Sequence, residues 1–229
     1  MLNLRGKCWD ATGNPAHANQ ALEIADFLAN TIARHAQWRV VEHFDENWLP
    51  AWQYNREHPA DPFRPFGSTV GHGIEWSRLL IHLRALRPDA DWLLPAARQL
   101  FSRAQRDGWS ADGHEGFLYT VDWVGKPVIT ERLHWVLAEA IGAAAVMHEV
   151  TAEPEYERRY DEWWQWAEDH LVDRHEGSWR HELDASGTPS STIKKGKADV
   201  YHAFQATLLP VSPLTASLAS ALRTARITP

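Results

Sequence analysis

The chain has 229 residues, long enough to bury a core without disulfides or a structural metal. Its 23 Lys+Arg against 30 Asp+Glu give a formal charge of −7, which lacks the basic excess that binding to a nucleic-acid backbone demands. Apolar residues at 44%, with 13 Gly and 13 Pro, fit a globular domain better than disorder or a fibrous repeat. Cys8 is the only cysteine, the first seven residues hold no apolar signal core, and no apolar run could span a bilayer. A cytoplasmic protein with neither membrane nor nucleic-acid partners is expected. Trp is the outlier: its 13 copies exceed the 7 Phe and 5 Tyr together, and 13 His accompany them. Flat apolar rings beside titratable imidazoles suit a sugar site, although core packing uses Trp equally well.

Apolar residues recur at helical spacing through most of the chain. The pattern predicts helices over 17–36, 73–86, 91–104, 132–150, 156–172 and 200–209, with a weaker one near 214–222. Thr12-Gly13-Asn14-Pro15, Arg87-Pro88, Asp107-Gly108 and Glu153-Pro154 are expected to interrupt them. Between the helices a short strand ending in Asp is followed five residues later by Pro: Asp45 with Pro50, Asp122 with Pro127, Asp184 with Pro189. Gly125 and Gly187 supply the turn in the second and third copies, so each segment reads as a β-hairpin between helices. Repeated helix pairs with their loops on one face predict a mainly α fold. Closed into a ring, they form an α/α toroid whose inner helices line a funnel with the hairpins at its mouth. No linker or low-complexity tract divides the chain, so one domain over 1–229 is expected.

The densest chemistry lies between Phe63 and Arg78. Ser68 or Thr69 is placed to cap a helix that puts His72 at its N-terminus and Glu75 one turn later on the same face. The helix end disfavours imidazolium, which predicts a neutral His72. The flanking Gly71 and Gly73 would let a ligand approach the backbone. The bland alternative is a capping box in which Glu75 completes the cap and His72 is a turn residue. In the second cluster Asp199 caps a helix and orients His202 three residues on, with Val200, Phe204, Ala206, Thr207 and Leu208 as the apolar stripe; a satisfied core histidine is the alternative there. Glu131-Arg132-Leu133-His134 matches half of a di-iron motif, but no second copy exists. His43, His72, His175, His181 and His202 show no metal-ligand spacing, and no phosphate loop, nucleophile elbow or Cys nucleophile is present. Neither metal nor cofactor is expected. Trp163 and Trp166 read as core, whereas Trp123 and Trp179 sit in hairpins and are candidates for a sugar-stacking wall.

Six motifs occur in an order that resembles the N-acylglucosamine 2-epimerase superfamily. They are Glu42-His43-Phe44-Asp45 with Trp48 and Pro50; Phe63-Arg64-Pro65-Phe66-Gly67; Gly71-His72-x-x-Glu75-Trp76-x-Arg78; Gly116 to Pro127; Gly177-Ser178-Trp179-x-x-Glu182-Leu183-Asp184; and Gly196-Lys197-x-Asp199-x-Tyr201-His202. The Glu75-Trp76-x-Arg78 ending resembles the aldose-ketose isomerase branch, which includes mannose and sulfoquinovose isomerases.

That resemblance implies an (α/α)6 barrel and a cofactor-free sugar isomerase. His202 would be the proton-transferring base, and His72, supported by Glu75, would serve ring opening or oxygen protonation. Arg64 and His181 would bind hydroxyls, with Trp123, Trp135 and Trp179 shaping the pocket. A 2-epimerase and a sugar-binding or interaction remnant without catalysis are the rival readings. The likeness covers the C-terminal part of the family, without the N-terminal helices and their Asn-x-x-Met-His motif, and Lys194-Lys195 stands where the family usually has a Trp-Pro or Trp-Asp pair. An incomplete ring predicts exposed apolar surface at Leu2, Leu4, Trp9, Ala21, Leu22 and Leu28, and hence a homo-oligomer.

Overall fold

The computed structural model describes residues 8–224. Helix α1 (Pro15–Asp26) opens on Asn14, whose Oδ1 accepts from the Ala16 N–H at 3.0 Å, with Pro15 in the first helical position where no N–H is needed. It widens into π-helical turns over Phe27–Ala33. Strand β1 (Ser68–Thr69) leads into α2 (Val70–Leu86), followed by α3 (Leu93–Gly108) and the hairpin β2 (Thr120–Val121) and β3 (Pro127–Ile129). Strand β4 (Arg132–Leu133) leads into α4 (His134–Thr151), then α5 (Pro154–Trp166) with a π-helical extension over Ala167–Leu171. Strand β5 (Glu182–Leu183), α6 (Val200–Leu208) and α7 (Leu218–Thr224) complete the chain. The predicted helices are all present. Asn14-Pro15 and Glu153-Pro154 prove to be helix starts, because each places Pro just after an extended N-cap residue.

The helices form two layers. Helices α2, α4 and α6 lie side by side, with α3 packed outside α2 and α5 outside α4. Two levels of contact show that the inner three run parallel. Near their N-termini the Trp135 ring lies between those of His72 and His202. Farther down, Arg78 of α2 donates through Nε and Nη2 to Glu139 Oε2 of α4 at 2.9 and 2.7 Å, while Gln205 of α6 donates to Glu139 Oε1 at 3.0 Å. Helix α4 is buried nearly all round, which explains its apolar Ala140–Met147 run. Among the described residues no helix is long and apolar enough to cross a membrane. Between α3, α5 and the 109–117 loop, Trp163 packs fully buried against Phe101, Trp109 and Phe117, as expected for core.

The Asp–Pro repeat is one turn used three times. Asp45, Asp122 and Asp184 each accept, through Oδ1, the backbone N–H groups two and four residues ahead: Asn47 and Leu49, Val124 and Lys126, Ser186 and Thr188. Each also donates its own N–H to the carbonyl four residues on. The fourth residue of every turn has positive φ, at Gly125, Gly187 and, in the first copy, Trp48 with φ 61. Phe44 pairs with Pro50 and Leu183 with Pro189, while the middle copy grows into the β2–β3 hairpin, joined antiparallel to β1 through Ser68↔Val121 and Thr69↔Thr120. Gly67, at φ +93, is forced by that pairing, since a Cβ would stand 2.2 Å from the Val121 carbonyl oxygen. β4 pairs with β5 through Arg132↔Leu183 and Leu133↔Glu182. The strands thus brace the N-termini of α2 and α4.

Some local expectations change. Thr69 occupies the N-cap position of α2 but makes no capping bond, and Ser68 Oγ donates instead to the Val40 carbonyl. Gly71 and Gly73 serve helix packing rather than ligand approach, because Cβ atoms there would meet the Trp135 ring at 2.4 Å and Ala104 at 3.1 Å. On α6 the buried residues are Gln205 and Ala206, and Val200 and Phe204 stand 75% and 61% exposed. Ala21 is buried against the core, Leu22 packs partly buried on it, and Trp9 and Leu28 are half-buried; Leu2 and Leu4 lie outside the described residues.

Glu139→Ala strips the buried Arg78 of its counter-charge and is expected to cost about 3–5 kcal/mol in urea unfolding, whereas the double change Arg78→Met, Glu139→Leu should recover most of that loss. Equal destabilisation by both variants would show that the ion pair does not hold the inner helices.

Candidate active site

The site lies where the N-termini of the inner helices meet. His72 and His202 are each the third residue of their helix, and α4 begins with His134-Trp135. The Trp135 ring centroid is 5.1 Å from that of His72 and 5.8 Å from that of His202, so the indole separates the two imidazoles. Each imidazole has its own carboxylate.

His72 Nδ1 stands 2.8 Å from Glu42 Oε1, on the segment that leads into the first Asp turn. Burial pushes the imidazolium down, but the Glu42 charge, its contact with the ring and the fields of Glu75 and Glu139 outweigh it and hold the His72 pKa above its ordinary value. The shift is opposite in sign to the one expected from the helix end alone: a carboxylate in contact outweighs a half-charge of backbone dipole. For Glu42, burial raises the carboxyl and the neighbouring His72, chiefly, lowers it below the usual value. Glu75, expected as the support of His72, is raised by burial and by the like charge of Glu139, and Arg78, His72 and His202 oppose that rise. It sits within the fields of both histidines.

Asp199 is the N-cap of α6, accepting the His202 N–H at 3.0 Å, and the same carboxylate receives His202 Nδ1 at 3.0 and 3.1 Å. Burial raises the Asp199 carboxyl, but the His202 N–H bond and the charges of His202 and His134 take it below the ordinary range. An ionised carboxylate only accepts, so His202 carries a proton on Nδ1, and in the neutral ring the lone pair is on Nε2. The bond expected between Asp199 and His202 is therefore present. His134 is fully buried and stands 3.2 Å from Asp199 Oδ2. Burial, reinforced by His181 and His202, lowers its pKa to about 4 despite Asp199.

A recess of about 790 Å³ opens beside His72, Glu75 and Glu42, walled by Phe27, Phe44, Trp48 and Trp76, within the size range of small-molecule sites. A smaller recess of about 270 Å³ reaches Arg78, His82 and Gln205 but neither site histidine. The remaining expected residues divide. Trp135 is central. His181 lies beside His134, ring centroids 5.1 Å apart, and its carbonyl accepts the His134 N–H. Trp123 stands at the rim, donating its indole N–H to the Trp52 carbonyl. Arg64 is 63% exposed on the 51–66 loop, 3.8 Å from Asp61. Lys194 clamps that loop, donating to the Pro62 carbonyl and lying over the Phe63 ring. Trp179 is a correction: it is only 7% exposed and packs edge-on against Trp164, so it presents no face to a sugar.

Sequence reasoning gave no role to Glu42 and set His134 aside with the di-iron motif. The signal for His134 was its place just after a short strand and at the start of a helix, the context that also surrounds His72. The carboxylate of Glu182, part of the Gly177–Asp184 motif, is structural, holding the 190–194 loop through Ser190 Oγ and three backbone N–H groups.

A model of the N-acylglucosamine 2-epimerase (GlcNAc 2-epimerase) family matches residues 7–206. The chain belongs to this family. The D-mannose isomerase of Pseudomonas cannabina pv. alisalensis is 49% identical over 218 residues, covering 93% of this chain and 53% of that protein. The D-mannose isomerase of Thermobifida fusca is also 49% identical over 218 residues, covering 94% and 54%. A crystal structure of D-mannose isomerase superposes with a TM-score of 0.81 at 29% identity, covering 89% of this chain and 52% of that one. The cellobiose 2-epimerase of Spirochaeta thermophila shares the fold with a TM-score of 0.70 at 22% identity. The chain spans about half the length of the curated relatives it matches.

Glu42→Gln removes the charge that raises His72, so the His72 ring titration followed by NMR is expected to move to lower pH. The stabilisation contributed by Glu42 is present above its ordinary pKa of 4.5, and that of His72 below its ordinary 6.5, fading as pH rises through the raised folded value. The stability gap between parent and variant should therefore be widest between pH 4.5 and 6.5 and narrow above. An unmoved titration would refute the pairing.

Proposed function

We propose that this chain carries the proton-transfer site of an aldose-ketose isomerase acting on a free hexose of the mannose/fructose type. The supporting observation is the two imidazoles flanking Trp135, each in contact with its own carboxylate, Glu42 for His72 and Asp199 for His202. His202, with Nδ1–H given to Asp199, offers Nε2 as a base; His72, biased towards imidazolium by Glu42, offers a proton. In this reading His202 takes the proton from C2 of the open-chain aldose while the carbonyl oxygen at C1 is protonated. The resulting enediol loses its O2 proton as C1 regains one, leaving a ketose. His72, supported by Glu75 one turn later on α2, serves ring opening and the oxygens. Arg64 and His181 are assigned to hydroxyls, and Trp123 and Trp135 to the pocket wall. The likeness to D-mannose isomerases supports this choice.

The inner row α2, α4, α6 with its outer partners supports the finer reading of the fold as part of an (α/α)6 barrel. A cytoplasmic location and a sugar rather than nucleic acid as ligand belong to the same proposal, as does self-association through exposed Val200, Tyr201, Phe204 and Val211, readable by sizing chromatography.

Incubation with mannose in deuterium oxide is expected to yield fructose with solvent label at carbon; glucose would instead mean 2-epimerisation, and altered Trp fluorescence without label would mean a binding protein. His72→Ala and His202→Ala should each lower turnover about 10²-fold or more with circular dichroism unchanged. More than about a tenth of the rate in either would sink the assignment.

Isomerisation through an enediol needs no electrophile beyond these groups, so turnover should survive exhaustive chelation. Loss on chelation, restored by a divalent ion, would overturn this.

A further inference from the structure

His134 is wholly buried, and neither ring nitrogen makes a hydrogen bond of good geometry, the Asp199 carboxylate being the charged group beside Nε2. An imidazole taken out of water without well-formed hydrogen bonds carries a desolvation cost that a ligand would relieve. Its Nε2 lies 3.2 Å from Asp199 Oδ2, and His202 Nδ1 lies 3.1 Å from that same oxygen. Donor atoms of the three residues all fall within 4.8 Å of one another, the one such group of His, Cys, Asp or Glu among the described residues. Tetrahedral zinc with bonds of about 2.0–2.2 Å sets its ligand atoms roughly 3.3–3.5 Å apart, so two of the three edges are already near the required length. Asp199 is 47% exposed, which leaves the fourth position to water. Spacing along the chain hides this set because its members come from two helices.

We propose that His134, Asp199 and His202 form a zinc site, and that the bound ion switches the enzyme off rather than serving its chemistry. Without metal, His202 donates Nδ1–H to Asp199 and keeps its lone pair on Nε2. Zinc takes Nδ1, and the ring proton displaced from it comes to rest on Nε2. The ring stays neutral, the proton count on it is unchanged, and no lone pair remains to accept a proton from carbon. Binding of zinc does not depend on the isomerase reading; only the loss of turnover does.

The test strips the chain with chelator and titrates it with zinc alone by calorimetry and cobalt(II) alone by visible absorption. One ion per chain is expected, with a cobalt band of tetrahedral intensity. Asp199→Asn keeps an equally good N-cap but replaces the anionic ligand, and both it and His134→Gln should weaken binding at least tenfold. Nitrogen-15 spectra of the parent should show the His202 proton moving from Nδ1 to Nε2 as zinc is added. Turnover should fall over the same zinc range through kcat, with KM unchanged. Absence of the cobalt band, or undiminished affinity in Asp199→Asn with its circular dichroism intact, would overturn the site. An unmoved His202 proton at saturating zinc would overturn the switch. A chain that binds zinc with the expected tautomer change but never turns over mannose would count against the isomerase reading, not against the site.

Discussion

The buried contact of Arg78 with Glu139, extended by Gln205, is the constraint on which the rest of the structure depends. One residue from each inner helix enters it, so it fixes the register of α2, α4 and α6 about two turns below their N-termini. Burying an ion pair contributes little net stability compared with apolar packing, but it tolerates few alternative arrangements because any slip leaves a charge uncompensated. That intolerance carries upward. With the helices locked in register, His72, Trp135 and His202 arrive at the same level, and Glu75, one turn above Arg78 on α2, comes within the fields of both imidazoles. Gly71 completes the arrangement, because only a residue without Cβ lets the Trp135 ring lie against the start of α2.

Above this floor the Asp turns do the positioning. Each is a small self-contained unit in which one carboxylate replaces the missing donors and acceptors of a tight reversal. The first follows directly after Glu42 and brings it to His72; the second pairs with β1 and the third follows β5, which pairs with β4, so both buttress the starts of α2 and α4. The site is therefore built from secondary-structure ends held by hydrogen bonds rather than from a long mobile loop. Arg64 and the 51–66 segment are the contrast: they lie over the rim on Asp61, Asn55 and Lys194 contacts, with Arg64 and Phe63 largely exposed.

The two imidazoles are chemically alike in sequence and unlike in place. His72 meets Glu42 in a recess where neighbouring carboxylates reinforce the positive ring. His202 meets a carboxylate that is also committed to capping its own helix and stands opposite a second histidine. Those surroundings hold the His72 pKa above its ordinary value and aim His202 Nδ1 at Asp199, and the low pKa of His134 likewise follows from burial that Asp199 offsets only in part.

Helix positions, the Asp–Pro hairpins and the pairing of Asp199 with His202 were legible in the sequence, because each depends on residues within about five positions of one another and on a local period. The Asp turn states its own hydrogen bonds, and an N-cap Asp three residues before a His fixes that contact whatever the rest of the chain does. Glu42 beside His72, Trp179 inside the core, Gly71 against an indole and His134 against Asp199 were decided by tertiary structure alone. Each joins elements 30 or more residues apart, or depends on which side of a hairpin faces the core, and neither is encoded in a local pattern. Residue type and spacing determined which groups could do chemistry; the packing of α2, α4 and α6 decided which of them meet and which proton each holds.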